Sequence, residues 1–114
     1  MHKFCKHTRS EELKRDILVS VNLYTKSNPV LSSALEAQFR ASGPQVREAI
    51  RELRREGHPI ANCDKGYYYA HSFSEIEDTL ADLESRAMSQ LYTVKRMKER
   101  FFPAQKEQTN LFNQ

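Results

Sequence analysis

Four arginines in one short stretch are the residues with the clearest chemical potential in this sequence. They lie between Pro44 and Glu56, at Arg47, Arg51, Arg54 and Arg55. A guanidinium group keeps its positive charge at all physiological pH values, and its fork of N–H donors fits a phosphate or the O6 and N7 atoms of guanine. This cluster therefore favours contact with an anionic polymer over catalysis.

The other reactive side chains do not form a recognisable catalytic or metal site. Cys5 and Cys63 are the two cysteines of the chain. They lie far apart, so we expect reduced thiols and no cysteine-rich zinc site. His2 and His7 flank Cys5 without matching a zinc pattern. The three glycines form no phosphate-binding loop, and no paired carboxylates or nucleophile–base set stands in a suitable context. We expect no enzyme activity, no cofactor and no metal.

A single amphipathic helix would present the arginines. Ile50 and Leu53 fall within about 40° of Val46 on a helical wheel, so the helix has one narrow apolar face. Pro44 suits its first turn, and Gly57 suits its end. Glu48 can pair with arginines of the next turn, so an ordinary solvated helix is an alternative interpretation.

The segments on either side of this helix have their own signals. Residues Ser32–Phe39 predict a short helix with capping-box spacing between Ser33 and Glu36, and residues 41–43 make a tight connection to the arginine helix. After the helix, residues 58–63 and 67–70 flank Asp64-Lys-Gly66, which indicates a hairpin. The order is helix, turn, helix and hairpin.

This arrangement resembles the winged helix-turn-helix of bacterial and phage DNA-binding proteins. The resemblance covers residues 11–70, and the run Val-Arg-Glu-Ala-Ile at residues 46–50 is similar to the recognition helix of GntR-type regulators. Its other matching residues are Leu35, Phe39, Ser42, Gly43, Leu53, Glu56, Gly57, Gly66 and Tyr67. The resemblance implies a fold with one helix in the major groove and a hairpin as the wing, and it does not fix one function.

Under this interpretation the DNA-binding residues are Ser42, Gln45, Arg47, Arg51, Arg55 and Lys65. Arginine suits guanine and glutamine suits adenine, so Gln45, Arg47 and Arg51 are the candidate base readers. Ser42 and the nearby amides suit a phosphate, and Lys65 at the hairpin turn, with Asn62 beside it, suits phosphate or the minor-groove edge. Arg54 and Arg55 are expected to contact the DNA backbone or solvent.

Tyr67, Tyr68 and Tyr69 would alternate faces on a strand, with Tyr68 opposite its two neighbours. Stacking on single-stranded bases is one possible role for them. Packing under the hairpin is the other.

The segment before the arginine helix predicts a scaffold helix. It begins at Thr8, which has capping-box spacing to Glu11, and it ends before Pro29. Its apolar face contains Leu13, Ile17, Leu18, Val21 and Tyr24. Residues 1–7 are expected to be a disordered basic arm, residues 30–31 a short strand, and residues 8–71 one winged domain.

Residues 72–102 predict one long helix, because no glycine or proline occurs before Pro103. About 28 residues of helix would span about 42 Å, longer than a small domain is wide. Its heptad seam contains Ile76, Leu80, Leu83, Ala87, Gln90, Val94, Met97 and Phe101. A coiled coil with a second copy is the leading interpretation, with Ile76, Leu80, Leu83, Ala87 and Val94 as dimerisation residues. Folding back as a helical hairpin, or capping of the winged domain, are the alternatives.

Charge is unevenly distributed along that helix. Residues 75–84 contain five acids and no base, whereas residues 86–100 contain five bases and one acid. The helix dipole accounts for this distribution, and so does an antiparallel pair of helices.

The tail, residues 103–114, is polar and expected to be flexible, yet it carries Leu111 and Phe112. Gln108, Leu111 and Phe112 resemble the short motif with which bacterial replication and repair proteins bind the β sliding clamp. The resemblance implies that these three residues are the anchors. Thr109 departs from the leucine preferred in that motif.

Length and composition agree with a small DNA-binding protein. The chain has 114 residues, a net charge of +3 and 39% hydrophobic residues, and no apolar run approaches a membrane span. We expect a mainly α fold with a small β component, in the cytoplasm, that acts as a dimeric sequence-specific binder of double-stranded DNA. A phage or plasmid replication factor that docks on the clamp is one version. A transcriptional regulator with an incidental tail, and a protein–protein adaptor, are the alternatives.

Overall fold

The structure of the protein is a computed structural model that describes residues 2–102, with side chains from residue 9 onward. Six elements follow one another along the chain. They are α1 (His2–Val21), α2 (Ser32–Phe39), α3 (Gly43–Arg55), β1 (Ile60–Cys63), β2 (Gly66–Tyr69) and α4 (Phe73–Phe101). The predicted class, mainly α with a small β component, is confirmed. The chain divides after Thr79 into two compact units, which are described separately.

Helix α1 supplies one wall of the first unit's core. Leu13, Ile17 and Val21 are spaced by four residues, lie on one face and are buried. The helix begins at His2, before the predicted start at Thr8, and so includes most of the segment predicted to be a disordered arm. The helix ends at Val21, before the predicted stop at residues 27–29, because a turn between Thr25 and Asn28 already redirects the chain.

Helix α2 has the predicted bounds but not the predicted cap. Leu31 occupies the N-cap position and offers no side-chain acceptor. The helix therefore starts before Ser33, and the expected Ser33–Glu36 capping box is not formed. Instead the Ser32 hydroxyl donates to the Glu36 carboxylate at 3.1 Å. The helix ends at Phe39, and the left-handed φ of 53° at the C-cap residue Arg40 turns the chain toward α3.

Helix α3 is fixed at its start by a capping box between Ser42 and Gln45. The Ser42 hydroxyl accepts from the Gln45 backbone N–H at 3.2 Å, and the Gln45 side-chain carbonyl accepts from the Ser42 backbone N–H at 2.9 Å. This satisfies two N–H groups at the helix start that have no partner within the helix. Four residues of α3 are buried against the core: Val46, Ala49, Ile50 and Leu53.

Strands β1 and β2 form an antiparallel hairpin in which Cys63 pairs with Gly66 across a two-residue turn. A third segment joins this sheet through one bridge, where the Val30 and Tyr67 backbones exchange hydrogen bonds of 2.8 and 2.7 Å. The short strand predicted at residues 30–31 is thus a single bridge. Gly66 is required there, because its φ is +131° and a Cβ would lie 2.2 Å from the Val30 carbonyl oxygen.

Both faces of the tyrosine strand are occupied by packing. Tyr67 and Tyr69 pack against the main core. Tyr68 is buried on the other face, with Ala61, Ala70 and Ile76, and its hydroxyl donates to the Glu75 carbonyl at 3.0 Å. Burial raises the pKa of Tyr68. The positions of the three tyrosines therefore agree with packing under the hairpin rather than with stacking on single-stranded bases.

The second unit contains the part of α4 from Leu80 onward. The side chains of residues 80–94 are all exposed. They include leucines, a residue type that is usually buried in a protein core. Ile76, predicted as a dimerisation residue, belongs instead to the first unit, where it is 8% exposed. The Ile76 side chain packs against Tyr68 of the hairpin in the same chain. It is therefore not available as part of a dimerisation seam. No helix in residues 2–102 is both long and apolar enough to cross a membrane.

Candidate nucleic-acid interface

Glu52 of α3 and Glu56 at its C-cap lie on the side that faces α1. Lys14 on α1 places its Nζ atom 3.9 Å from Glu52 and 2.5 Å from Glu56, with Glu11 at 3.6 Å. The hydrogen bond to Glu56 is the main cause that raises the pKa of Lys14, and the nearby carboxylates add to it. The lysine therefore stays charged and compensates the acids of this side of α3.

The opposite side of α3 faces the hairpin and carries the arginines. Arg54 defines this side, because its Nε donates to the Ile60 carbonyl at 2.8 Å and its Nη2 donates to the Asn62 side chain at 3.0 Å. At 100° per residue, Arg47 lies about 20° from Arg54 around the helix axis, and Arg51 lies about 60° from it. The basic sector thus runs from the hairpin side toward solvent, away from Glu52 and Glu56.

Arg47 and Arg55 are the first and last arginines of this sector along α3, and both are exposed. The Nη1 atom of Arg47 lies 3.3 Å from the position that a Cβ on Gly43 would take, and the Glu36 carboxylate lies equally close to that position. The Arg47 guanidinium therefore sits beside the beginning of α3. Arg55 lies one turn after Arg51, about 40° further around the helix. Arg47, Arg51 and Arg55 share one exposed side of a rigid helix.

Arg51 is held by Glu48, one turn earlier on α3. Its Nη2 donates to both carboxylate oxygens at 2.8 Å, and about half of each side chain is exposed. The hydrogen bond from Arg51 is the main cause that keeps the pKa of Glu48 below its usual value. This is one of the pairs that the solvated-helix interpretation predicts. An anion that binds Arg51 must therefore compete with a carboxylate that is ionised at neutral pH.

Ser42 and Gln45 have structural partners rather than free polar ends. Their side chains complete the capping box of α3, so in this conformation the Gln45 carbonyl is directed at the backbone and not at a ligand. The Ser-x-x-Gln spacing is a known capping-box pattern. It is the feature of the sequence that could have indicated the capping role of Ser42 and Gln45. Both residues hold the helix start that carries Arg47.

The hairpin contributes one exposed cation and one anchoring residue. Lys65 lies in the two-residue turn and is exposed. Asn62 accepts from Arg54, and its backbone N–H donates to the Thr79 hydroxyl at 3.2 Å. Asn62 therefore fixes the hairpin against α3 and α4. Sequence reasoning missed the role of Arg54, because nothing in its local pattern distinguishes it from Arg55.

Other predicted site residues lie elsewhere. Gln108, Leu111 and Phe112 lie outside the described residues, as do the side chains of His2, Cys5 and His7. Among the side chains described from residue 9 to 102, no group of three or more His, Cys, Asp or Glu residues could hold a metal ion.

Comparisons of the chain with protein-family models, with curated proteins and with solved structures found no match.

Proposed function

We propose that this is a cytoplasmic protein whose residues 8–71 act as a winged helix-turn-helix that binds duplex DNA through α3 and the hairpin. The order of three helices followed by a hairpin supports this proposal. The observation that carries it is the separation of charge on α3. Glu52 and Glu56 lie on the side of Lys14 on α1, whereas the arginines occupy the exposed side next to the hairpin and Glu48 pairs with Arg51.

The proposed contacts follow from this separation. Arg47 lies near the start of α3, where recognition helices commonly reach base edges, and Arg51 lies one turn later on the same side. Each can form a bidentate pair with a guanine. Gln45 acts through the cap that fixes the helix start, which keeps Arg47 in place.

Arg55 and Lys65 serve as phosphate contacts in this proposal. Phosphate contacts set the register of a protein on DNA and carry no sequence information. Arg55 lies near the end of α3, and Lys65 lies in the hairpin turn, so neither depends on a particular base. Arg54 makes no DNA contact in this scheme and holds the hairpin against α3.

The test is fluorescence anisotropy of labelled duplexes across a salt series, after selection of a preferred sequence. The logarithm of the binding constant should fall with the logarithm of salt concentration, with a slope of about −0.9 for each phosphate neutralised. Arg47→Ala and Arg51→Ala should each remove about 1–3 kcal/mol of discrimination between preferred and random sequences. Lys65→Ala should weaken both sequences equally.

Arg86→Ala supplies a matched control, because Arg86 belongs to α4 and pairs with Asp82 at 2.7 Å. It removes the same charge without touching α3. Unchanged affinity in the Arg47, Arg51 and Lys65 variants would refute the site. Absence of any binding at low salt would refute the function and favour the protein–protein adaptor.

A role in replication is proposed from the tail alone. The similarity of Gln108, Leu111 and Phe112 to the clamp-binding motif supports a protein that links a DNA site to a β sliding clamp. Leu111→Ala combined with Phe112→Ala should abolish co-elution with a purified clamp and leave DNA affinity unchanged. If co-elution survives this double change or never occurs, a transcriptional regulator becomes the better interpretation.

A further inference from the structure

The second unit has an apolar stripe that is exposed along its whole length. It contains Leu80, Leu83, Leu91, Val94, Met97 and Phe101, whose exposed fractions run from 38% to 76%. On a helical wheel these six residues fall within a sector of about 120°. Exposed apolar residues arranged in a continuous stripe typically mark an interaction surface.

The stripe is self-complementary. If a second copy of α4 lies antiparallel, with the two-fold axis between Met88 and Ser89, Leu80 stands opposite Met97 of that copy and Leu83 stands opposite Val94. Both of these layers join two apolar residues, and the two-fold axis repeats each of them. This register covers residues 80–97, which is about 27 Å of helix.

Charge selects the antiparallel direction. The first part of α4 is acidic and its last part is basic, so parallel copies would align like charges along both parts. In the antiparallel register Glu77 flanks the stripe beside Lys98 of the second copy.

The middle of the stripe fixes the register. Ala87 stands opposite Gln90 of the second copy on both sides of the two-fold axis. A small side chain leaves room for the amide, and a single polar residue in an apolar seam specifies register at the expense of stability. Ile76 lies outside this overlap, in agreement with its packing against Tyr68.

We propose that the stripe from Leu80 to Met97 is the surface through which two copies of this chain pair as antiparallel helices. The proposal does not depend on DNA binding, because it uses only residues of α4.

The first experiment measures the mass of the full-length protein by light scattering after gel filtration, over a dilution series from the highest soluble concentration. The wild type should have twice the chain mass of 13.3 kDa. Leu83→Asp should halve this value, because it places a charge in the seam. Tyr92→Asp is the matched control, since Tyr92 is 56% exposed on the opposite side of α4, and it should leave the mass unchanged.

A monomeric wild type at all concentrations would overturn the proposal, as would a Leu83→Asp protein that stays dimeric. Circular dichroism shows whether each variant keeps its helix content. If Leu83→Asp loses helix content, the shorter substitution Leu83→Ala replaces it, and the dimer should then dissociate at higher protein concentration than the wild type.

The second experiment tests direction by disulfide formation in a background where Cys5 and Cys63 are serine. Proteins carrying Leu80→Cys and Met97→Cys are mixed, oxidised and weighed by mass spectrometry. Antiparallel pairing should give mainly the mixed disulfide between the two variants. Predominance of the two symmetric disulfides would show parallel helices and overturn the register.

Discussion

Arg54 and Arg55 are adjacent arginines to which the structure assigns different tasks, so replacing each with alanine is a strong test. Arg54→Ala removes the donors to the Ile60 carbonyl and to the Asn62 side chain, at 2.8 and 3.0 Å. Ile60 is fully buried, so its carbonyl loses a charged donor at the edge of the core. Arg55→Ala removes an exposed side chain from the same helix.

The expected loss for Arg54→Ala follows from those two bonds. A hydrogen bond from a charged donor contributes about 1.5–3 kcal/mol, and partial exposure of the arginine places both bonds at the lower end of that range. The free energy of unfolding should therefore fall by about 2–3 kcal/mol, which lowers Tm by roughly 10–15 °C in a domain of this size. Arg55→Ala should change stability by less than about 0.5 kcal/mol.

Urea unfolding followed by circular dichroism measures stability, and the salt slope of DNA binding measures phosphate contacts. Arg55→Ala should reduce that slope by about 0.9. Arg54→Ala should leave the slope unchanged at a temperature where the variant is folded. Arg54→Lys keeps the charge but loses the fork, so its stability should lie between those of the wild type and Arg54→Ala. Equal losses of stability in the Arg54→Ala and Arg55→Ala proteins would refute the assignment.

Three further substitutions, one of them a control, test the hairpin and the Arg51 ion pair. Gly66→Ala should destabilise the protein by about 3 kcal/mol or more, because a Cβ there meets the Val30 carbonyl, whereas Gly57→Ala should cost only the backbone strain of about 1–2 kcal/mol; similar losses in urea unfolding would contradict the close approach. Glu48→Gln frees Arg51 and should raise DNA affinity a few-fold in the anisotropy assay, and lower affinity would contradict the competition between carboxylate and DNA. Because Arg51 lowers the pKa of Glu48, their ion pair stabilises the fold at pH values above the ordinary carboxyl pKa. This stabilisation is lost as the pH falls through the lowered pKa. Glu48→Gln should therefore make stability depend less on pH in this acidic range.

Local pattern in the sequence was sufficient for most elements of the fold. Helices α2 and α3 were predicted within a residue or two, because apolar spacing and stop residues act over a few positions. Gly66 likewise marked the hairpin turn, since only glycine adopts its φ of +131° without strain. The start of α1 was less predictable, because no helix-breaking residue separates the basic segment from the rest of that helix.

Partners distant in sequence were decided by tertiary structure alone. Arg54 and Arg55 have the same chemistry and the same local pattern, and only the position of the hairpin gives Arg54 its two acceptors. Lys14 acquires its acidic partners on α3 because α1 packs beside it.

The heptad pattern of α4 illustrates the same limit. Periodicity placed Ile76 and Leu80 on one seam, since both positions satisfy the spacing equally. Packing of Tyr68 then buried Ile76 in the first unit, while Leu80 stays 40% exposed. Sequence determined which residues share a face, because that depends on helix geometry, and tertiary structure decided which part of the face is already covered.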